Sequence, residues 1–359
     1  MKKMLYICHV DWNWIKQRPH FLAEGLKQHF DLSVVYMRQN RNRKTLQKRK
    51  QDEINATPIY IIPFFGRVSI LRRINTFFMA KQFFKKYNEV KPEYIFLTYP
   101  DQVKLIPKKY SGKIIYDCMD DHVAMALKER KSFVETCERD LIEKADYVFV
   151  SSQNLTDKLI ERYSITEKSK LSVVRNGYDG KIISVDPEKQ EKPKNFEISY
   201  IGTVSHWFNF DYLLKSLVDF ENLSYKIIGP IEAGLNVPQS QRINFVGTVE
   251  HNKLYETIKD TNCLIMPFVV NEIIESVDPV KLYEYINYNK DIICVKYKEI
   301  LRFDKFVYFY DDYESFKEQL TKLISSDAVK YSLDERKEFL EKNNWKTRVY
   351  EIVEKISKN

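Results

Sequence analysis

Glycine is scarce, with nine residues in 359 where ordinary usage would give about 25. No G-x-G-x-x-G and no G-x-x-x-x-G-K-[ST] string occurs, which argues against a standard dinucleotide-binding turn and a P-loop. The five cysteines, Cys8, Cys118, Cys137, Cys263 and Cys294, are odd in number and lack C-x-x-C spacing. They suggest neither a disulfide framework nor a zinc cluster, and they predict a reducing, cytoplasmic setting. No run approaches the ~20 apolar residues of a spanning helix; the longest, CLIMPFVV at 263–270, predicts a buried strand. The opening MKKMLYICHV runs straight into Asp11 without a small-residue cleavage site, so a first strand is expected there rather than a secretory leader.

What is present is the balance of a soluble globular protein, 44% hydrophobic and 30% charged. The length suits two domains at ~100–200 residues each. The net charge of +8 is local. Seven basic residues (Arg38, Arg41, Arg43, Lys44, Lys48, Arg49, Lys50) stand together without an acidic one. A second series, Arg67, Arg72, Arg73, Lys81, Lys85 and Lys86, is interleaved with Phe64, Phe65, Ile70, Leu71, Ile74, Phe77, Phe78, Phe83 and Phe84. That composition fits a basic amphipathic helix at an anionic membrane surface. It fits equally a solvated helix packed on a sheet. No nucleic-acid module can be read, so nucleic acid is not an expected partner.

Short apolar runs alternate with helical ones, the pattern of parallel α/β sheets. Strands are predicted at 4–10, 32–37, 93–99, 112–120, 145–152 and 171–179, and helices at 19–30 and 124–145. Residues 178–196 are polar and lysine-rich with two prolines, the composition of a linker. Beyond them the logic repeats, with strands at 197–203, 225–230, 243–248, 262–268 and 291–296 and a last amphipathic helix in NNWKTRVYEIVEKI (343–356). The expected domains are therefore residues 1–180, 181–340 and a terminal helix in 341–359.

Parallel sheets bind ligands at the carboxyl ends of their strands. Gly202, Gly229 and Gly247 each follow an apolar run, where they permit a tight turn or close backbone approach by an anion; they would also serve simply to end strands. In SVDPVKLYEYINYNKDII (276–293), Asp278 as N-cap and Pro279 would start a helix with Lys281 in its first turn. A lysine there opposes the helix dipole unless an anion binds. Lys281 and Glu284 lie three apart on one face, so a phosphate-binding cation and a carboxylate for ribose hydroxyls would project into one crevice. An ordinary surface ion pair is the alternative.

DPVKLYEYINYNKDII resembles the P-x-K-x-x-E-Y-x-x-x-G-K-P-V-V segment of GT-B glycosyltransferases, especially the family 4-like bacterial enzymes of teichuronic acid, capsule and exopolysaccharide synthesis. HVDWNWIKQRPHFLAEGL (9–26) resembles that group's W-x-W-x-x-R-x-x-x-L-A-x-x-L opening, and KADYVFVSSQNLTDKL followed by VVRNGYD its A-D-x-V-x-x-S…N-G-V-D run. The resemblance spans nearly the whole chain.

It implies two Rossmann-like parallel-sheet domains facing across a cleft, with hinge motion, a nucleotide diphosphate sugar held mainly by the second domain and a lipid-linked or oligosaccharide acceptor held mainly by the first. The last helix would return toward the N-terminal domain. Glu284 matches the ribose-binding carboxylate of the family's E-x7-E motif, whereas the first glutamate falls on Ser276, with Glu275 beside it. The basic pair many relatives carry after the first strand of this domain is missing from TVSHWF, unless His206 serves. Gly202, Thr203, His206, Ser276, Lys281 and Glu284 are the donor-binding candidates. The loop after IIYDC offers Asp117, Asp120, Asp121 and His122. Asp120 or Asp121 is the candidate base for the acceptor hydroxyl, though an Asp-Asp turn would look the same. Asp11, Trp12, Trp14, Gln17 and Arg18 follow the first strand; of these Asp11, Trp14 and Arg18 are the acceptor-binding candidates, with an indole on a sugar face and Arg18 on a phosphate. Either tryptophan would serve equally as filler between domains. No D-x-D string occurs, so no metal and no cofactor beyond the sugar nucleotide is expected. Retention of configuration is implied, at the inner leaflet of the membrane. A sugar-nucleotide epimerase on the same fold and a non-catalytic GT-B subunit are the rival readings.

Overall fold

The computed structural model describes residues 1–14, 16–39, 54–61, 69–184, 195–326 and 329–358. Most of the first basic run, together with Phe64, Phe65, Arg67 and the centre of the expected linker, lies outside the described residues, as do the side chains of Ile70, Leu71 and Arg72. No helix among the described residues is long and apolar enough to cross a membrane.

The chain divides into two compact units, Met1–Asn176 with Trp345–Asn359, and Gly177–Asn344. The divisions expected at 180 and 340 thus sit at 176 and 344. Tyr178 explains the shift: its N–H donates to the Asn343 carbonyl at 2.8 Å and it bridges Asn344 in parallel, which ties both residues into the second unit.

The first unit holds strands β1 (Lys3–Cys8), β2 (Asp31–Gln39), β3 (Thr57–Ile61), β4 (Tyr94–Leu97), β5 (Lys113–Cys118), β6 (Tyr147–Val150) and β7 (Leu171–Val173), in the order β3-β2-β1-β4-β5-β6-β7. Every pairing is parallel. Its helices are α1 (Arg18–Leu26), α2 (Ser69–Val90), α3 (Lys131–Lys144) and α4 (Gln153–Tyr163), joined by the last helix of the chain, Trp345–Ser357. Both sheet faces are covered, which is why β1, β4 and β6 read as unbroken apolar runs. Leu5 and Ile7 of β1 pack with Phe83, Leu141 and Leu155 on one side. Met4, Tyr6 and Cys8 pack with Leu22, Leu26, Trp345 and Ile352 on the other.

The second unit holds β8 (Phe196–Ile201), β9 (Leu223–Ile228), β10 (Ile243–Gly247), β11 (Cys263–Met266), β12 (Asp291–Val295) and β13 (Val307–Tyr310), in the order β10-β9-β8-β11-β12-β13, again all parallel. Helices α5 (Phe210–Asp219), α6 (Leu254–Thr257), α7 (Val280–Asn287), α8 (Tyr313–Ser325) and α9 (Leu333–Lys342) surround it. Each unit is thus a Rossmann-like parallel-sheet domain, as expected.

Three expectations change. The helix expected from 124 starts at Lys131, because the Asp121 carboxylate accepts the Ala124 N–H at 3.0 Å and turns the chain before it. Asp278 does not cap α7: it is buried against Arg302 and the Tyr283 hydroxyl, and Pro279 holds the cap position. The edge strand β3, interrupted by Pro58, has too few apolar residues to show as a run; edges are where a strand tolerates proline.

Candidate functional site

In each sheet the connectivity reverses at one place, and the carboxyl ends of the two strands flanking it form a crevice. In the second unit that place lies between β8 and β11, in the first between β1 and β4.

Gly202 follows β8 directly, with φ +146°, and Gly229 follows β9, with φ +138°. Only glycine adopts such backbone without strain. A Cβ on Gly229 would overlap the Gly202 carbonyl, and one on Gly202 would overlap Cε of Lys281 and lie 2.9 Å from its Nζ. The glycines therefore bring two loops and one lysine into van der Waals contact. Helix α7 delivers that lysine, because the Tyr285 hydroxyl accepts the Ile201 N–H at 2.9 Å and lies 3.3 Å from the Ile201 and Ile265 carbonyls. This pins α7 across the ends of β8 and β11. Lys281 sits in the first turn of α7, with Nζ 6.0 Å from the centre of the Tyr200 ring. Burial lowers its pKa from the ordinary lysine value, and Glu284 one turn on acts in the opposite sense. Glu284 Oε1 lies 3.4 Å from Nε2 of His251, and that hydrogen bond raises the histidine pKa.

The other donor candidates scatter. Thr203 is exposed, with its carbonyl taken by the Tyr200 hydroxyl at 2.9 Å. His206 is on the surface, 3.7 Å from Glu232, whose carboxyl pKa is lowered chiefly by the Ser205 hydroxyl. Ser276 is buried in the turn before α7, its hydroxyl 3.4 Å from the Glu272 carbonyl, while Glu275 is exposed. Gly247 also has positive φ, but a Cβ there would meet open space.

In the first unit the crevice is built by His9 after β1 and Thr98 after β4. The His9 N–H donates to Thr98 Oγ1 at 3.0 Å, and its Nδ1 lies 2.7 Å from the same oxygen. The His122 ring stands edge-on to His9, with centroids 5.8 Å apart, and against Tyr99 at 4.8 Å. Burial holds both imidazoles neutral, His9 down to about 4 and His122 to about 3. The buried Nε2 of His122 makes no hydrogen bond among the described residues.

The structure separates the adjacent aspartates. Asp121 takes two hydrogen bonds from Arg162, at 2.9 and 2.8 Å, besides the Ala124 N–H; these hold its pKa below the usual carboxylate range although burial pulls upward. Behind it Arg162 meets Glu138 at 3.6 Å, and Glu138 accepts the hydroxyls of Tyr116 and Tyr163. Asp121 is thus a buried strut. Asp120 is pushed up to about 7 by burial, with Arg18 acting against it, which makes it a carboxylate able to trade a proton near neutrality.

Arg18 departs from the expectation of an acceptor phosphate. It is 4% exposed, bonds Asp117 through Nε and Nη2 at 2.7–3.1 Å and reaches the Arg175 carbonyl and Asn176 Oδ1 through Nη1. This buried fork orders the end of β5. Asp11 accepts the Asn13 N–H at 3.0 Å and shapes the loop. Trp12 is a core residue against His20, and Trp14 is half-buried.

Sequence reasoning missed His9, which reads as part of the first strand, and His251, whose 33-residue distance from Glu284 leaves no local signal. His9 was findable as the first polar residue after an apolar run. Among the described residues no group of three or more His, Cys, Asp or Glu side chains is placed to hold a metal ion.

No family model matches the chain, and no curated protein matches it. Solved structures do. The sucrose-phosphate synthase of Thermosynechococcus elongatus superposes with a TM-score of 0.75 at 11% identity, over 100% of this chain and 99% of that one. Anabaena HepE in complex with UDP-glucose gives 0.74 at 13%, over the whole of both chains. The lipopolysaccharide outer core galactosyltransferase WaaB gives 0.69 at 17%, over 100% of this chain and 99% of that one. The likeness is one of fold, and it runs the length of the chain: two parallel-sheet Rossmann-like domains of the GT-B kind.

Proposed function

We propose that this protein is a glycosyltransferase that moves a sugar from a nucleotide diphosphate to a glycan acceptor, without a metal. One observation carries the reading: Lys281, desolvated in the first turn of α7, rests on Gly202 at the switch point, with Glu284 one turn away. A half-buried, partly desolvated ammonium in the first turn of a helix suits a diphosphate, and a carboxylate at that distance suits ribose hydroxyls. Anabaena HepE was solved with UDP and with UDP-glucose, so uridine is the base to test first.

As the bond between the sugar and the diphosphate breaks, the leaving oxygen keeps the electron pair and Lys281 neutralises it. The acceptor oxygen forms the new bond and loses its proton, which Asp120 is poised to take. His122, held neutral, offers a hydrogen-bonding nitrogen beside it. Retention of configuration and a lipid-linked acceptor in surface polysaccharide synthesis at the inner leaflet complete the reading. Helix α2 supports the membrane part, since it exposes Ile74, Phe77, Phe78 and Phe84 amid Arg73, Lys81 and Lys85, the composition of an interfacial helix.

Calorimetric titration with UDP-, GDP- and dTDP-sugars tests the donor site, and absence of binding by all three sinks the reading. A second reading rests on Ser276, which is buried where the resembled enzymes carry a glutamate: a subunit that binds donor without transferring it. Binding without turnover or donor hydrolysis would favour that one.

A further inference from the structure

At the foot of the first unit, where strands begin rather than end, a groove of about 900 Å³ is lined by the starts of β1, β4, β5 and β6. It lies at the opposite end of the sheet from His9 and Asp120. Lys2, Lys91, Lys109 and Lys113 line it against one carboxylate, Glu93. Lys113 is neutralised by Asp146 at 2.8 Å, and Lys2 donates to the Tyr94 hydroxyl at 3.0 Å. Lys91 and Lys109 have no ion-pair partner among the described residues, so the groove is left cationic.

Lys91 closes α2. Its N–H donates to the Tyr87 carbonyl at 2.8 Å, and its φ of +49° is one that glycine or asparagine usually supplies. Phe77 and Phe84 lie seven residues apart and so share one line along the helix, which ends just before Lys91. Phe77 is 69% exposed and Phe84 37%. The line of rings continues from Phe84 to Tyr87 at 6.4 Å and from Tyr87 to Tyr110 at 6.2 Å, and Tyr87 and Tyr110 both line the groove. An exposed aromatic stripe thus leads into a basic pocket of the size that takes a small polar ligand, about 300–1,000 Å³.

We propose that this groove binds the phosphate-bearing headgroup of an anionic membrane lipid while the α2 rings lie among the headgroups. The inference rests on the membrane part of the proposed function and adds a defined anion site to it. Tyrosine suits the position, with an apolar body and a polar tip. The two unpaired lysines supply the charge complementarity, and their distance from the switch-point crevice leaves that crevice free.

The test is co-sedimentation of the full chain with vesicles of phosphatidylcholine alone or with phosphatidylglycerol added. Lys91→Asn, which tolerates the left-handed backbone, combined with Lys109→Ala is expected to weaken binding to the anionic vesicles roughly thirtyfold, two lysines at about 1 kcal/mol each. Unchanged thermal unfolding shows that the variant is folded; Lys109→Ala alone, expected to weaken binding about fivefold on the same basis, serves if it is not. Phe77→Ser with Phe78→Ser reports on the stripe. Release by the phenylalanine pair but not the lysine pair overturns the groove and keeps the membrane reading. Indifference of the parent protein to anionic vesicles overturns both. Glycerol phosphate in solution binding as tightly as vesicles overturns the lipid source, as does an acidic oligosaccharide or RNA that binds in place of vesicles through the same lysines.

Discussion

Replacing Gly202 with alanine separates the fold from the donor site. At φ +146° an alanine carries backbone strain of order 1–3 kcal/mol, and its Cβ overlaps Cε of Lys281. The obstructed atom is the far end of a flexible side chain, so the lysine swings aside while the sheet stays intact. The second unit should then melt roughly 2–4 °C lower per kcal/mol lost. If the ammonium meets the diphosphate, its displacement removes a charge-assisted hydrogen bond worth about 1.5–3 kcal/mol, roughly 10- to 150-fold in UDP affinity. Uridine lacks the diphosphate and should bind as before. Lys281→Met keeps the shape without the charge and should lose UDP affinity similarly. Adding Gly202→Ala to it should then cost little more, since both changes remove one contact. Isothermal titration of the four proteins with UDP and uridine measures all of this. A folded Gly202→Ala protein that binds UDP as tightly as its parent refutes the placement of the phosphate against Lys281.

Asp120 sets the pH dependence. Because burial raises its folded pKa to about 7, transfer should rise with pH through that value, and Asp120→Asn should lose about 10²–10⁴ in kcat. The folded chain holds a proton between about pH 4 and 7 that the unfolded chain releases, so this carboxyl lowers stability as pH rises through that window. Asp120→Asn should flatten that slope in denaturant melts, and an unchanged slope counts against the assignment. Glu284→Gln should narrow the preference for UDP over deoxyuridine diphosphate by about 1–3 kcal/mol, the scale of a lost hydrogen bond to a charged group; an undiminished preference removes the ribose from Glu284. Asp117→Asn leaves the buried Arg18 guanidinium without its carboxylate and should cost about 3–5 kcal/mol of stability, whereas a loss confined to acceptor KM would return Arg18 to the acceptor. Since burial lowers the Lys281 pKa, UDP binding at alkaline pH should take up protons, seen as a buffer-dependent titration enthalpy that vanishes in Lys281→Met.

The fold was legible where burial makes a sequence loud. Strands such as β1, β6 and β12, apolar over four or more successive residues, announce themselves because both faces of a parallel sheet are covered. The quiet elements are those relieved of that demand. β3 sits at a sheet edge and admits Pro58; β13 also ends its sheet, but Phe306–Tyr310 is an apolar run that the sequence reading passed over. The α3 boundary failed for a different reason. Residues 124–127 are apolar enough for a helix, but a single carboxylate, Asp121, takes the Ala124 N–H and diverts the chain. Such a competition between one side chain and a helix leaves no trace in periodicity.

The site divides along the same line. Lys281, Glu284, Gly202 and Gly229 were singled out because the signal on each is local: a helix start, a one-turn spacing, a strand end. Arg18, Asp121 and His9 were not, because their roles depend on partners far along the chain, Asp117 for Arg18, Arg162 for Asp121 and Thr98 for His9. Asp120 and Asp121 are indistinguishable in sequence, yet the one that meets the Arg162 guanidinium is held below the usual carboxylate range and the other is pushed up to about 7 by burial. A half-buried cation points the same way in the other unit. Lysine in the first turn of a helix is opposed by the dipole and by desolvation, and this one fits only because Gly202 carries no side chain. Gly202, one of nine glycines in the chain, lies against that ammonium, and a bound diphosphate would offset the dipole and desolvation costs.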